Sequence, residues 1–255
     1  MQQAAYPILE YDPTPTAVIN PPRAVAGVAM PEHCVLCFFQ EVLDKTCRQP
    51  GVTVLHRLRS EMGEHPVYCL EVEGRRVAVM HPGIGAPFAG ALTDEMIGLG
   101  CRKIIACGGA GVLDRAIAVG HVLVPVSAVR DEGTSYHYLP PSREVSASAE
   151  GVAAIERTLT SHGYDWLQCK TWTTDAFYRE TPEKVRRRRE EGCLAVEMEA
   201  AAFFAVAQFR GATCAQLLYG GDDVSGREHD PRGWNERTSI REQLFWLAVE
   251  ACLSL

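Results

Sequence analysis

The segment Val196-Glu197-Met198-Glu199-Ala200 sets two carboxylates and a thioether between a short apolar run, CLAV, and the almost wholly apolar AAAFFAVAQF. Burying charge at such a junction is costly unless a partner offsets it, which points to a ligand for at least one acid; a helix N-terminus, which tolerates acids through its dipole, is the plainer alternative. Gly220-Gly221-Asp222-Asp223 also follows an apolar run. Adjacent like charges raise the pKa of one carboxyl, as a proton donor near neutral pH requires, although an ordinary Asp turn has the same composition. Two further turns, Gly83-Ile84-Gly85 and Gly108-Gly109-Ala110-Gly111, put small residues where backbone N–H groups can approach an anion. Neither is a dinucleotide fingerprint: after Gly83 and Gly85 the third glycine would fall at Phe88, which argues against a Rossmann dehydrogenase.

All four segments follow apolar runs with strand character, and ligands collect at the carboxyl ends of strands in open α/β sheets. The elements that position them alternate along the chain. CVLCFF from Cys34, TVLHRL, VYCLEV, RVAVM, KIIACGG, HVLVPVSAV, LQCKTW, CLAVE and CAQLLYG read as strands, with Glu73-Gly74 turning one adjacent pair. Helices are predicted over QEVLDKTCR, FAGALTDEMIGL, about 148–161, from Thr181-Pro182 to Gly192, over MEAAAFFAVAQFR, and from a capping box at Ser239–Glu242 to about Leu253. RDEGTSYHYLPPSRE reads as a polar loop, and Arg186 to Arg189 as a solvated helix face. This pattern predicts a single α/β domain of three layers, with a central mixed, largely parallel sheet flanked by helices, over residues 34–255. Residues 1–33 carry six of the 15 prolines and read as an extended arm that needs a surface to lie on.

Composition narrows the classes of function. The 255 residues are 47% hydrophobic with a formal charge of −7, which speaks against nucleic acid as a partner. The longest apolar stretches are too short to span a bilayer, so no membrane partner is expected. MQQAAYPILEYDPTPT lacks the basic and apolar regions of a signal peptide, giving a cytoplasmic expectation. The ten cysteines are expected as buried thiols, and Cys34 and Cys37, three apart on a strand, point to opposite faces and cannot share a metal.

At GIGAP, RDEGTSYHY, TTDAFY, VEMEA and GGDD, in this order and spacing, the chain resembles the nucleoside phosphorylase and nucleosidase superfamily, over roughly three quarters of its length. The resemblance implies cleavage of a nucleoside N-glycosidic bond, with a neighbouring subunit helping to complete the site in a dimer, trimer or hexamer. It implies that Glu199 hydrogen-bonds the ribose hydroxyls, that Met198 packs on the sugar with Glu197 beside it, that Phe177 stacks on the base and that Asp223 protonates the leaving base. RDEGTSYHY is uridine phosphorylase-like, whereas the acid at Asp223 is purine-type. The chemistry is coherent, because the bond breaks through an oxocarbenium-like sugar that a carboxylate stabilises while an acid neutralises the leaving group.

The usual phosphate loop is replaced by CVLCFF running into Gln40-Glu41. Phosphate, expected as co-substrate with no cofactor or metal, then falls to Gly83, Gly85, Gly108 and Gly109 with Arg130, Arg23 or a neighbour's arginine as cation. The Gln and Arg of a uracil site would fall near Thr181 and Glu183. The resulting expectation is a uridine phosphorylase-like enzyme that cleaves a (deoxy)ribonucleoside with phosphate to free base and pentose 1-phosphate; a nucleosidase using water, with Glu41 to activate it, and a non-catalytic nucleoside-binding protein are the alternatives.

Overall fold

The computed structural model describes residues 3–23, 25 and 27–255. Its centre is a sheet of ten strands: β1 His33–Cys37, β2 Thr53–Ser60, β3 Gly63–Val72, β4 Arg75–Met80, β5 Lys103–Val112, β6 Val122–Asp131, β7 Glu144–Ser146, β8 Trp166–Thr174, β9 Cys193–Glu197 and β10 Thr213–Asp223. The helices are α1 Gln40–Thr46, α2 Ala86–Leu99, α3 Ser135–Tyr138, α4 Ala149–Ser161, α5 Pro182–Glu190, α6 Ala200–Arg210 and α7 Thr238–Leu253. Strands β4, β1, β5 and β10 run parallel at the centre, and β2 and β3 continue the sheet antiparallel at one margin. The other margin curls. Because β10 pairs with both β5 and β6, and β9 with both β8 and the end of β5, the strands β5, β10, β6, β8 and β9 form a ring.

Helices cover both faces, as the alternation of elements predicts. Apolar residues of α1, α4 and α7 pack on one face, with Cys37 in that core, and those of α2 and α6 on the other, with Cys34 there. All ten cysteines are free thiols. The turn at Glu73-Gly74 forms with both residues at positive φ, joining β3 to β4. Thr181 caps α5 as expected, its Oγ1 accepting from Lys184 N at 3.4 Å.

Three local expectations fail for tertiary reasons. Helix α7 begins at Thr238 without a side-chain cap, because Glu242 reaches to Lys45 Nζ at 2.7 Å instead of closing a capping box with Ser239. The polar loop after β6 holds α3 and β7, tied down by Arg130. Within the basic run, Arg188 is buried beside Trp172 and bonds Asp131 and Glu191, each at 3.0 Å.

Part of the Pro-rich segment before β1 lies on α2 and α6 of the same chain. Gly98 of α2 admits it: a Cβ there would stand 2.6 Å from the carbonyl oxygen of Pro22 and 2.8 Å from Cβ of Pro21. Arg210, at the end of α6, donates to the carbonyl of Pro15 at 2.8 Å, and with Nε and Nη2 grips both oxygens of the buried Asp94 of α2 at 2.7 and 2.8 Å. One guanidinium thus joins two helices and the arm. Arg210→Ala is expected to lower the unfolding free energy by about 2–3 kcal/mol, the scale for breaking a largely buried, hydrogen-bonded ion pair, and to speed proteolysis within the arm. A urea midpoint unchanged from wild type would show that the grip contributes nothing.

Candidate active site

The ring brings the carboxyl ends of β5, β9 and β10 together around one cleft with two connected parts. An inner cavity of about 320 Å³ is bordered by Phe38 and Phe39 after β1, Gly109 to Gly111 of β5, Glu199, Gln216, Tyr219 and Arg241. An outer cavity of about 770 Å³ is bordered by Phe177, Tyr178, Glu180, Val224, Arg227 and His229. Glu197, Met198, Asp222 and Trp234 border both.

Glu197 ends β9 and is 7% exposed. Its Oε1 accepts from Thr173 Oγ1 at 2.6 Å and Thr171 Oγ1 at 3.3 Å, and its Oε2 from the backbone N–H of Glu199 and Ala200 at 2.7 and 2.6 Å. Burial pushes its pKa up while these donors pull it down. Both oxygens are committed to the scaffold, so Glu197 acts as a brace beside the cleft.

Glu199 follows as the residue before α6, 6% exposed, and its Oε1 accepts from Gly85 N at 2.6 Å. Gly85, at φ +87°, precedes α2, and this contact joins the first glycine turn to the VEMEA junction. Burial, and then the neighbouring Glu197 charge, push the Glu199 carboxyl up to about 8. Among the described residues the backbone N–H groups of Gly85 and Met198 are the protein donors near this carboxyl, which otherwise faces the cleft. Met198 and Phe177 border the cleft as expected, Phe177 half exposed with its ring 4.1 Å from that of Tyr178.

The acid at GGDD is the first correction. Asp223 does not border the cleft: it is 4% exposed, accepts from Ser225 N at 2.8 Å and pairs with Arg232 Nη2 at 3.0 Å. Burial alone would raise its pKa, but these donors hold it below the usual carboxylate range, so it is a poor proton donor. A register shift between Gly220 and Asp223 lies in the pairing of β10 with β5, and it is Asp222 that borders both cavities, with Oδ2 2.8 Å from His229 Nε2. Bulges of this kind re-aim side chains beside active sites.

Arg130 is the second correction. It is 4% exposed and donates to Ser135 Oγ, Ser142 Oγ and the carbonyls of Leu139 and Pro140 at 2.7 to 3.2 Å, stacked on Tyr136. It folds the RDEGTSYHY segment and borders neither cavity. Arg23 lies exposed in the arm. Among the glycines, Gly109 borders the inner cavity, where a Cβ would meet the Tyr219 ring at 3.1 Å, whereas Gly108 packs under Phe38 and Gly83 borders an adjoining cavity that shares Ile84.

Four polar side chains that no motif indicated complete the cleft. Glu180, pushed up to about 7 by burial and by Asp222, and His229 border the outer part; Gln216 and Arg241 border the inner part. Glu180 lies directly before the Thr181 cap, a position that sequence reads as a helix boundary, and Arg241 is 18 residues beyond the GGDD segment.

The profile of the phosphorylase superfamily matches residues 32–243. The chain belongs to this superfamily. A guanosine phosphorylase of Halorubrum lacusprofundi is 30% identical over 152 residues, 58% of this chain and 61% of that protein, so the match spans less than two thirds of that relative. A DeoD-type purine nucleoside phosphorylase of Bacillus cytotoxicus is 25% identical over 204 residues, 79% of this chain and 84% of the relative. Among solved phosphorylase-superfamily folds, an AMP nucleosidase from Bacteroides thetaiotaomicron superposes with TM-score 0.70 at 22% identity over 88% of each chain. A uridine phosphorylase from Vibrio fischeri does so with TM-score 0.75 at 21% identity over 94% of this chain and 100% of the other. The superfamily's fold is therefore this chain's fold, and among the described residues no helix is long and apolar enough to cross a membrane.

Because the native Glu199 binds its proton more tightly than an unfolded glutamate, stability contributed by that proton is lost as pH rises from the usual carboxylate range through about 8. The melting temperature of wild type minus that of Glu199→Gln is expected to fall between pH 5 and pH 8.5. A difference that stays flat over this range would remove the raised pKa.

Proposed function

We propose that the protein cleaves the N-glycosidic bond of a purine-type nucleoside by phosphorolysis. The observation that carries this reading is the pairing in one cleft of a buried carboxylate, Glu199, with a second acid, Asp222, across Met198. Glu199 takes the ribose hydroxyls and stabilises the developing oxocarbenium charge, Met198 packs on the sugar, and Phe177 and Tyr178 offer aromatic faces to the base. A phosphate oxygen bonds to C1′ as the C1′–N bond breaks. The bonding pair leaves with the base, which takes a proton delivered through the Asp222–His229 pair, whose Oδ2 and Nε2 lie 2.8 Å apart. The products are free base and pentose 1-phosphate.

Purine specificity is supported by the acid at the base end and by the two purine or guanosine phosphorylase relatives. Uridine specificity loses support, since its motif is occupied in folding the Arg130 loop. Phosphate rather than water is supported by the inner carboxyls, since Glu197 is committed to the scaffold and Glu199 is pushed up to about 8, while a phosphate dianion needs only positioning. One observation favours hydrolysis. Arg241 Nε lies 3.0 Å from Glu41 Oε1, which offsets the cation. A homo-oligomer and a cytoplasmic setting complete the proposal; Val18 and Ile19 of the arm are exposed and available to a neighbour.

Incubation with guanosine, inosine, adenosine and uridine, with and without phosphate, is expected to release purine base and pentose 1-phosphate only with phosphate present. Asp222→Asn is expected to lower kcat/KM for the purine substrate by about 10² or more, the scale for removing a general acid. Asp223→Asn is expected to lower the melting temperature and leave kcat/KM within about threefold of wild type. The opposite ranking would return the proton donor to Asp223, and equal release of free ribose without phosphate would replace phosphorolysis by hydrolysis.

A further inference from the structure

The inner end of the cleft holds two polar side chains that the protein leaves incompletely satisfied. Gln216, on β10, is 1% exposed, borders the cavity, and its Oε1 has no hydrogen-bond partner. An unpaired buried amide oxygen is costly, and a ligand that donates a hydrogen bond would relieve it. Arg241, on the first turn of α7, is the one cation bordering this cavity among the described residues. Its guanidinium lies over the Phe39 ring at 4.8 Å and its Nη1 donates to the Asn235 carbonyl at a long 3.3 Å. Its Nε is buried, 3.0 Å from Glu41 Oε1 but not aligned to donate to it. The guanidinium thus has donor capacity to spare, and Phe38 and Phe39 shield it from water on one side.

We propose that Arg241 and Gln216 hold the attacking phosphate, an inference that rests on the phosphorolysis reading above. The arginine fork meets two phosphate oxygens, and the Gln216 amide on the same cavity wall supplies a further hydrogen bond. Glu41, exposed on the far side of Arg241, tunes the site: as a carboxylate beside Arg241 it opposes anion binding. The site is built by α7 and β10, not by the glycine turns, and needs no N-terminal phosphate loop.

The test is steady-state kinetics on the full-length protein with saturating purine nucleoside and varied inorganic phosphate. Arg241→Gln is expected to raise the apparent KM for phosphate about 30-fold or more while the KM for nucleoside stays within about threefold, as befits loss of a charged partner from an enclosed site. Arg241→Lys, which keeps charge without the fork, is expected to fall between the two. Glu41→Gln is expected to lower the KM for phosphate severalfold, an improvement that a merely structural residue would not give. Inorganic phosphate is expected to raise the melting temperature of wild type and not of Arg241→Gln. Unchanged phosphate KM in Arg241→Gln with nucleoside still cleaved overturns the assignment alone. Loss of all cleavage in Glu41→Gln overturns it in favour of water activated by Glu41. Wild type that consumes no nucleoside, or that does so at the same rate without phosphate, overturns the phosphorolysis reading itself.

Discussion

The site is organised around the buried carboxylate of Glu197. Its four donors come from two threonines of β8 and from the first turn of α6, so one side chain fastens strand β8, the end of β9 and the start of a helix. Desolvating a carboxylate costs several kcal/mol, and four donors, two of them at a positive helix terminus, offset that cost only in this geometry. The chain therefore turns from strand to helix at one place and in one orientation. Met198 is directed into the cleft, and Glu199 is brought to 2.6 Å from Gly85 N, which in turn positions α2.

Closure of the sheet supplies the rest. In an open sheet, β9 and β10 would end on separate edges of the crevice; in the ring, β5 pairs with β10 along its length and with β9 at Gly111 and Val112, so the acids at the ends of β9 and β10 border one space. Strand β10 joins the ring by pairing with β5 on one side and, at Leu218 and Tyr219, with β6 on the other, and the register shift against β5 lies just beyond, between Gly220 and Asp223. A Cβ at Gly220 would stand 2.9 Å from Val112 Cγ1, which is why a side chain is absent at the crossing. The register shift that follows aims Asp222 into the cleft and sends Asp223 to Arg232.

This explains what could and could not be read from the sequence. Layers, helices and most strand spans follow from apolar periodicity, and the buried acids at VEMEA follow from the cost of charge next to apolar runs, because both are local properties. Asp222 and Asp223 are chemically identical neighbours whose roles are assigned by a bulge, and a bulge depends on pairing with β5, which is a hundred residues away in sequence. Arg130 has the composition of an anion ligand, but Ser135 and Ser142 lie close enough in the chain to fold the loop around it. Arg241 carries no motif at all, and only the packing of α7 against β1 and β5 brings it to the cleft. Local chemistry is legible; the choice among equivalent side chains belongs to tertiary geometry.

The electrostatics of the cleft follow from the same crowding. Glu197, Glu199, Glu180 and Asp222 lie around one space that few cations border, and the mutual repulsion together with burial lifts Glu199 to about 8 and Glu180 to about 7. At neutral pH the resting site thus keeps protons that ordinary carboxylates would have released. Under the proposed chemistry a neutral nucleoside does little to relieve this strain, whereas a sugar acquiring positive charge at C1′ offsets the repulsion among the acids around it. Stabilisation that appears only as charge develops lowers the barrier without tightening the ground state. The repulsion that makes the free site costly is, under the proposed chemistry, the term that favours its transition state.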